Sequence, residues 1–223
     1  MRRVCVFDVN HTLLDLGALD PHFERVFARP GVRQQWFALL LSSAFLATIT
    51  GAYSDFGSIG RASLRAIAER HSAKLSATDE NEIVGTWGQL PPHPDVVPAL
   101  DHLTRSGFRV AALTNSTEAV AIAQMEHAGL ADRFERILSA DTVRRLKPAP
   151  EPYEMAAREL DVPIDGIRLI AAHGWDVAGA LRAGASAAFV ARSGAYQDPL
   201  VGPPDIVAPD LVEAARLIIE SER

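Results

Sequence analysis

The sequence predicts an α/β fold in which a parallel sheet is interrupted by an all-helical segment. Three observations lead to this fold class. Short, uniformly apolar runs are typical of strands buried on both faces, as in parallel sheets. Over the second half of the chain such runs alternate with helical patterns, as in βαβ units with right-handed crossovers. Between about residues 17 and 90, in contrast, helical patterns follow one another without a convincing strand.

The first elements are a strand and a group of helices. An apolar run over residues 4–7 predicts a strand that ends at Asp8. Four helices are predicted after it, over residues 20–28, 32–50, 57–71 and 78–87. Pro91, Pro92 and Pro94 then interrupt regular structure, because proline lacks the backbone donor and biases its neighbour towards extended conformations.

The elements after these prolines alternate. Helices are predicted over residues 96–106, 119–128, 151–160, 177–183 and 210–221. Strands are predicted over residues 108–113, 136–139, 169–172, 187–191 and near 206–207. Together these elements predict a Rossmann-like parallel sheet core built from residues 1–16 and 93–223, with residues 17–92 as an inserted all-helical cap domain.

Composition excludes several classes of protein. The chain has 223 residues, of which 48% are hydrophobic and 22% charged, so a disordered chain is excluded. Its net charge of −6 argues against nucleic-acid binding, which requires a basic face. Cys5 is the only cysteine and lies in an apolar run. It predicts a buried thiol and excludes an internal disulfide or a metal site built on paired thiolates.

Targeting and membrane segments are not expected. The apolar run before Asp8 has only four residues, too few for the apolar region of a signal peptide. The longest apolar stretch covers residues 36–49, whereas a membrane span needs about 20 residues. This stretch predicts a buried helix, with enough apolar surface for either a homodimer contact or the seam between cap and core. We therefore expect a cytoplasmic protein that does not enter the membrane.

Polar residues cluster after four of the predicted strands, in residues 8–12, 114–116, 147–148 and 173–176. In an open α/β sheet, ligands bind outside the carboxyl ends of the strands. Each of these loops alone has an ordinary explanation, such as a turn cap or a solvated charge. Four of them at one edge of a sheet predict an active site.

These residues, in this order, resemble the motifs of the haloacid dehalogenase superfamily. Asp8 and Thr12 match an aspartate nucleophile at a strand end and the threonine four residues later. Thr114 matches the second motif, Lys147 the third, and Asp176 part of the acidic fourth motif. The resemblance covers essentially the whole chain. It implies that residues 17–92 form the helical cap of that superfamily.

Two departures separate this chain from the phosphatases of the superfamily. Phosphatases carry a second aspartate two residues after the nucleophile, where this chain has Asn10, which cannot donate a proton as an acid. They also carry an acidic residue at the position of Ala172. Since Mg²⁺ needs several hard oxygen ligands, we expect no metal and no cofactor. The chain resembles instead the 2-haloacid dehalogenase branch.

The resemblance to this branch implies a reaction. Asp8 would attack the halogen-bearing carbon of a short halogenated carboxylic acid, and water would hydrolyse the resulting aspartyl ester. Lys147 would keep Asp8 ionised, and Asp176 would position water or Lys147. The implied substrate-binding residues lie at the strand ends, beside the lysine or on the long cap helix: Asn10, Thr12, Thr114, Asn115, Tyr153, Arg33, Trp36 and Phe37.

The long cap helix departs from the branch pattern. The branch carries there an arginine that holds the departing halide, and Phe37 occupies the corresponding position. Arg33 lies one helical turn earlier on the same face, so it is a candidate replacement. Alternatively, the pocket is apolar at this point and the substrate differs.

His173 stands where the branch has asparagine, and Ala171 where it has serine. Histidine is the side chain whose ordinary pKa lies nearest neutral pH, so we predict that His173 takes a proton from the attacking water while Asp176 orients its ring. The alternative is a histidine that packs against Trp175 or caps a turn.

Two other functions remain open at this stage. One is a hydrolase of the same superfamily with another small substrate, such as a phosphatase. The other is a non-catalytic small-molecule binder that retains the fold. An enzyme requires Asp8, Lys147 and Asp176 to converge, and a binding protein does not.

Overall fold

The computed structural model describes residues 3–197, 199 and 201–222. The predicted core range also includes residues 1, 2, 198, 200 and 223, which lie outside the described residues. The strands are β1 Val4–Phe7, β2 Val110–Thr114, β3 Arg136–Ser139, β4 Ile167–Ala171, β5 Ser186–Val190 and β6 Ile206–Ala208. The α-helices are α1 Asp20–Phe27, α2 Val32–Thr50, α3 Phe56–Arg70, α4 Ala77–Trp87, α5 Val96–Arg105, α6 Glu118–His127, α7 Pro150–Glu159, α8 Gly174–Ala183 and α9 Leu211–Ser221.

The strands form one parallel sheet in the order β3-β2-β1-β4-β5-β6, so the predicted α/β fold class is confirmed. In the central strand, Phe7 lies opposite Ala112 of β2 and Ile170 of β4. From β1 the strand order proceeds to one side through β2 and β3, and to the other side through β4, β5 and β6. The residues that follow β1, β2 and β4 therefore meet at one edge, at the point where such sheets bind ligands.

The two faces of the sheet contribute to different apolar layers. Val4 and Val6 of β1 pack with α7 and α8, whereas Cys5 and Phe7 pack towards α5 and α9. All four residues are buried, as expected for a strand covered on both faces. Cys5 is fully buried, as predicted, and burial raises its pKa to about 12.

Helices α1 to α4 lie between β1 and α5, and α2 packs on α3 and α1. The helix α2 is buried along one face rather than throughout, which corrects the prediction of a buried helix. Its buried residues recur every fourth position, at Val32, Trp36, Leu40 and Ala44. Leu46 and Ile49 near its end are 61% and 82% exposed. Among the described helices, none has the length and apolar character needed to cross a membrane.

The helix α8 begins at Gly174, three residues before the predicted start. His173 precedes it with extended backbone angles and acts as the N-terminal cap residue. Asp176 therefore lies in the first turn of α8, where the helix dipole favours a negative charge. The boundaries of the cap at residues 17 and 92 stay a prediction.

Candidate active site

Asp8 follows the central strand and is the focus of the site. Its side chain is 6% exposed. Lys147 Nζ donates to its Oδ1 at 2.9 Å, and its Oδ2 accepts from Thr12 Oγ1 at 2.6 Å and from His173 Nδ1 at 3.1 Å. Burial alone would raise the pKa of Asp8. The charge of Lys147 and the hydrogen bonds of His173 and Thr12 outweigh burial, so this pKa lies well below its ordinary value and Asp8 is a carboxylate at neutral pH.

Lys147 is fully buried and contacts both acidic residues of the site. Its Nζ donates to Asp8 Oδ1 at 2.9 Å, to Asp176 Oδ2 at 2.6 Å and to the backbone oxygen of Leu113 at 2.9 Å. These three bonds use the three donors of an ammonium group. Burial lowers the pKa of Lys147, but the two carboxylates outweigh burial and raise it. Lys147 therefore stays charged and fixes the distance between the two acids.

Asp176 is held from the side opposite Lys147 by Tyr153. The Tyr153 hydroxyl donates to Asp176 Oδ1 at 2.5 Å. Burial raises the pKa of Asp176 in spite of Lys147, and the charge of Asp8 acts in the same direction. Burial likewise raises the pKa of Tyr153 well above its ordinary value, so its hydroxyl stays a neutral donor. Tyr153 therefore contacts Asp176. The prediction that it binds substrate is corrected, because its hydroxyl is already bonded to that carboxylate.

Thr12 joins the loops that follow β1 and β4. Its hydroxyl donates to Asp8 and accepts from the backbone N–H of Ala172 at 2.9 Å. In the loop between Asp8 and Thr12, His11 adopts a left-handed backbone with φ of 69°, which is uncommon for a residue with a side chain. His11 is held in this turn by the bond from its N–H to the oxygen of Leu14 at 2.8 Å.

Asn115 and Thr114 shape the loop after β2. The amide of Asn115 accepts from the backbone N–H of Lys147 at 2.8 Å and donates to the backbone oxygen of the same residue at 3.3 Å. This pair of bonds places Lys147 against the strand edge. Thr114 is fully buried, and its hydroxyl accepts from the N–H of Ser116 at 3.2 Å.

Asn10 connects the nucleophile loop to two other segments. Its Nδ2 donates to Ser116 Oγ at 3.3 Å, and its Oδ1 accepts from Gln124 Nε2 at 3.1 Å. Gln124 Nε2 also donates to the backbone oxygen of Trp87 at the end of α4. Gln124 thus links the nucleophile loop to the helical segment. Its role was not predictable from the sequence, because a lone glutamine in a helical pattern carries no signal.

His173 lies directly against the nucleophile. Its Nδ1 bonds Asp8 rather than Asp176, so the prediction that Asp176 orients the ring is wrong. Because Nδ1 faces a carboxylate, we assign the hydrogen to Nδ1 and a lone pair to Nε2. The Nε2 atom is buried and has no hydrogen-bond partner among the described residues. The ring also stacks on Trp175, with centroids 5.1 Å apart, as the alternative prediction stated.

A cavity of about 550 Å³ lies between the strand edge and α2, and it reaches His173, which bonds Asp8. His11, Ala172 and His173 line it at the end next to Asp8. Arg33 and Phe37, two of the predicted substrate-binding residues, line it from α2.

Arg33 and Trp36 both lie on α2 but contact different parts of the protein. Arg33 Nε bonds Asp20 Oδ1 at 2.6 Å, so this guanidinium already has a carboxylate partner. Trp36 packs inside the cap, where its Nε1 donates to the backbone oxygen of Gly60 at 2.9 Å. Its predicted contact with substrate is wrong, because one step along a helix turns a side chain about 100° away from its neighbour Phe37.

Arg192 also lines the cavity, although it was not among the residues predicted for the site. Its Nη2 and Nε donate to the backbone oxygen of Thr12 at 2.8 and 3.2 Å, and its guanidinium pairs with Asp95 at 2.8 Å. It therefore anchors the nucleophile loop. Arg192 lies two residues beyond the end of β5, at the same carboxyl edge of the sheet as the other loops of the site.

The sheet topology and the buried Asp8–Lys147–Asp176 cluster at its carboxyl edge define a hydrolase with a Rossmann-like core and a helical insert. The chain belongs to the haloacid dehalogenase-like hydrolase family, whose model matches residues 2–184. The resemblance predicted from the motifs is confirmed.

Two relatives and one solved structure show the same likeness. The chain is 25% identical over 217 residues to (S)-2-haloacid dehalogenase H-109 of Pseudomonas putida, covering 96% of this chain and 97% of the relative. It is 28% identical over 194 residues to an (S)-2-haloacid dehalogenase of Xanthobacter autotrophicus, covering 86% and 76%. The structure matches that of L-2-haloacid dehalogenase from Xanthobacter autotrophicus with chloropropionic acid covalently bound, with a TM-score of 0.89, 27% identity and 98% of each chain covered.

Proposed function

We propose that this protein is a hydrolytic 2-haloacid dehalogenase in which Asp8 is the nucleophile. The observation that carries the proposal is the environment of Asp8. This side chain is ionised, almost fully buried, and held by three hydrogen-bond donors near a cavity. Such a carboxylate is suited to attack carbon and form an ester. The names of the similar proteins support a carbon–halogen bond as the bond that breaks. A binding protein would have no use for this arrangement.

In the first step, an oxygen of Asp8 attacks C2 of the haloacid. The new C–O bond forms as the carbon–halogen bond breaks, and the halide leaves with the electron pair. A halide needs no proton to leave, which suits Asn10, whose amide is already bonded to Ser116 and Gln124. We assign the substrate carboxylate to the backbone of the loop after β2, since the side chains of Thr114 and Asn115 are already bonded within the protein.

We assign the departing halide to Arg33. Its pair with Asp20 uses Nε and Nη2, and we place the halide at Nη1. Phe37 lies beside Arg33 in the cavity wall and contributes an apolar surface there. A guanidinium N–H to an anion is one of the stronger hydrogen bonds available to a protein.

In the second step, water attacks the carbonyl carbon of the Asp8 ester. His173 Nε2, which carries a lone pair, takes a proton from this water. The bond between the Asp8 carbonyl carbon and the ester oxygen then breaks, and that oxygen leaves in the 2-hydroxy acid, taking the proton from His173. Asp8 loses the second proton of the water to solvent and regains a carboxylate that contains one water oxygen. Lys147 stabilises the negative charge that develops on Asp8 throughout.

We propose that neither step uses a metal or a cofactor. Asn10 and Ala172 occupy positions that are acidic in the phosphatases of the superfamily. Among the described residues, no group of three or more His, Cys, Asp and Glu side chains is arranged to hold a metal ion.

The test is release of halide from 2-chloropropanoate and 2-bromopropanoate with and without EDTA. We expect turnover that EDTA does not change and that Asp8→Asn abolishes. Loss of activity in EDTA that Mg²⁺ restores, together with release of phosphate from p-nitrophenyl phosphate, would contradict the proposal in favour of a phosphatase.

We also propose that the protein is cytoplasmic and forms a homodimer through the exposed apolar end of α2. Leu46 and Ile49 are the exposed apolar side chains there. The buried free thiol of Cys5 is typical of a reducing compartment. Light scattering on the wild-type protein and on Leu46→Lys, Ile49→Lys checks the dimer, which we expect the double substitution to dissociate.

A further inference from the structure

The cavity next to Asp8 is large for a three-carbon acid. Its volume of about 550 Å³ falls in the range of roughly 300–1,000 Å³ that holds drug-sized ligands. A 2-halopropanoate has only a handful of non-hydrogen atoms and would leave most of this space to water. The size of the cavity therefore indicates a substrate with a larger substituent on C2.

One wall of the cavity is aromatic and apolar. Phe37, Leu41 and Phe45 recur every fourth residue and form one face of α2 along the cavity. Trp175 and Tyr196 line it as well. The rings of Phe45 and Trp175 are 5.4 Å apart and meet edge to face. Such a wall suits an uncharged, flat group, since aromatic pairs prefer centroid distances of about 4.5–7 Å.

The charged residues that line the cavity already have partners. Arg33 is paired with Asp20 at 2.6 Å, and Arg192 with Asp95 at 2.8 Å. Asp15 accepts a backbone N–H at the start of a helical turn. A further anionic group on the substrate would therefore find no arginine without a carboxylate partner among the described lining residues.

We propose that the substrate is a 2-haloacid with an aromatic ring attached to C3, of the 2-halo-3-arylpropanoate class. The ring packs against the wall that Phe37, Leu41, Phe45 and Trp175 form together, while the C2–halogen bond faces Asp8. This inference rests on the proposed function and adds the class of substrate to it.

The test compares kcat/KM for halide release from 2-bromo-3-phenylpropanoate and from 2-bromopropanoate. We expect a preference of at least about tenfold for the phenyl substrate, the scale that apolar contacts in a pocket provide. Preference for 2-bromopropanoate would overturn the inference and leave the proposed function standing. Halide release from neither substrate would contradict the proposed function itself.

Two variants locate the ring. Leu41→Trp fills the part of the cavity next to α2. We expect the ratio of kcat/KM for 2-bromo-3-phenylpropanoate to kcat/KM for 2-bromopropanoate to fall at least about tenfold. Ala38→Leu narrows the same cavity by a smaller volume and should lower the ratio in the same direction if the larger substitution prevents folding. Val212→Trp, at an exposed position on α9, is the control and should keep the wild-type ratio. A wild-type ratio in both Leu41→Trp and Ala38→Leu would overturn the proposal.

Discussion

Lys147 holds two buried carboxylates with a single ammonium group. Asp8 and Asp176 are both bonded to its Nζ, and all three side chains are nearly or fully inaccessible to solvent. Taking charges out of water is costly, so removal of the cation leaves two uncompensated negative charges in the interior. The stability of the variant then depends on whether these carboxyl groups can become neutral.

We expect Lys147→Met to lower the free energy of unfolding by about 3–5 kcal/mol at pH 8, and by less at pH 5. In the wild type, the pKa of Asp8 in the folded state lies below its ordinary value, so Asp8 contributes stability at any pH above that ordinary pKa. This contribution is lost only as the pH falls through the pKa of the folded state. Without Lys147, burial raises the pKa of both acids, so the folded variant loses stability as the pH rises. Urea unfolding at the two pH values measures the difference.

The control for this prediction is Lys74→Met, which removes an exposed lysine from the loop between α3 and α4. We expect a change within about 0.5 kcal/mol and no new pH dependence. Equal losses at pH 5 and pH 8 in Lys147→Met would show that repulsion between ionised acids is not the cause.

His173 has one nitrogen on Asp8 and the other without a described partner. If Nε2 is the base for ester hydrolysis, His173→Ala should slow this step by about 10²–10⁴-fold, the usual contribution of a positioned base. The Asp8 ester should then accumulate and be visible in the mass of the intact protein. His71→Gln, which changes a histidine bonded to Gln35 on the helical segment, should show no adduct. Unchanged turnover of His173→Ala without adduct would assign His173 a packing role on Trp175.

At the scale of elements, one face of α2 packs into the protein and an adjacent face lines the cavity. The residues at 32, 36, 40 and 44 pack into the helical segment, whereas those at 33, 37, 41 and 45, one position further on, line the cavity. Each row repeats every fourth residue, as expected for one side of a helix. A substitution in the second row should therefore affect the substrate more than the fold.

Arg33→Ala is expected to reduce kcat/KM for 2-haloacids by about 1.5–3 kcal/mol, the usual contribution of a hydrogen bond to an anion. Asp20→Asn keeps the guanidinium and removes its carboxylate partner, so it should preserve or raise kcat/KM. Steady-state halide release measures both. Equal activity of Arg33→Ala and wild type would show that α2 does not hold the halide.

The close packing of α8 on the loop after Lys147 is the second element-scale feature. A Cβ atom at Gly179 would lie 2.6 Å from Tyr153 Oη and 2.7 Å from both Cβ and the backbone oxygen of Pro148. We therefore expect Gly179→Ala to cost about 1–3 kcal/mol in stability and to lower activity, because Tyr153 must move away from Asp176.

Gly85→Ala in α4 is the matched control. A Cβ at this position meets no atom within 4 Å, and alanine favours a helix over glycine by roughly 0.5–1 kcal/mol. Thermal unfolding should show a small gain for Gly85→Ala and a loss for Gly179→Ala. A Gly179→Ala protein as stable as the wild type would contradict the close contact.

For the whole molecule, the fold was predictable because its signals are local. The apolar run before Asp8 identifies a doubly buried strand, and the alternation after Pro94 identifies βαβ units. The carboxyl edge of the sheet then located Asp8, Lys147 and Asp176 without any knowledge of their contacts, since parallel strands bring their ends together.

The details of the site depend on contacts between distant segments, which spacing does not reveal. The ring of His173 is oriented by Asp8, 165 positions away, and not by Asp176 three residues later. Gln124 reaches Asn10 across 114 positions. Trp36 and Phe37 are neighbours in sequence but face the cap interior and the cavity, and only the packing of α2 on α3 decides which faces where.

The central claim is that Asp8 becomes esterified and that water attacks the ester rather than the substrate. The direct test is a single turnover of 2-bromopropanoate with enzyme in excess in H₂¹⁸O, followed by mass analysis of the product and of the Asp8 peptide. Our account predicts unlabelled oxygen in the new hydroxyl group and one ¹⁸O atom in the Asp8 carboxylate. Label in the hydroxyl group after the first turnover, with none in Asp8, would contradict it.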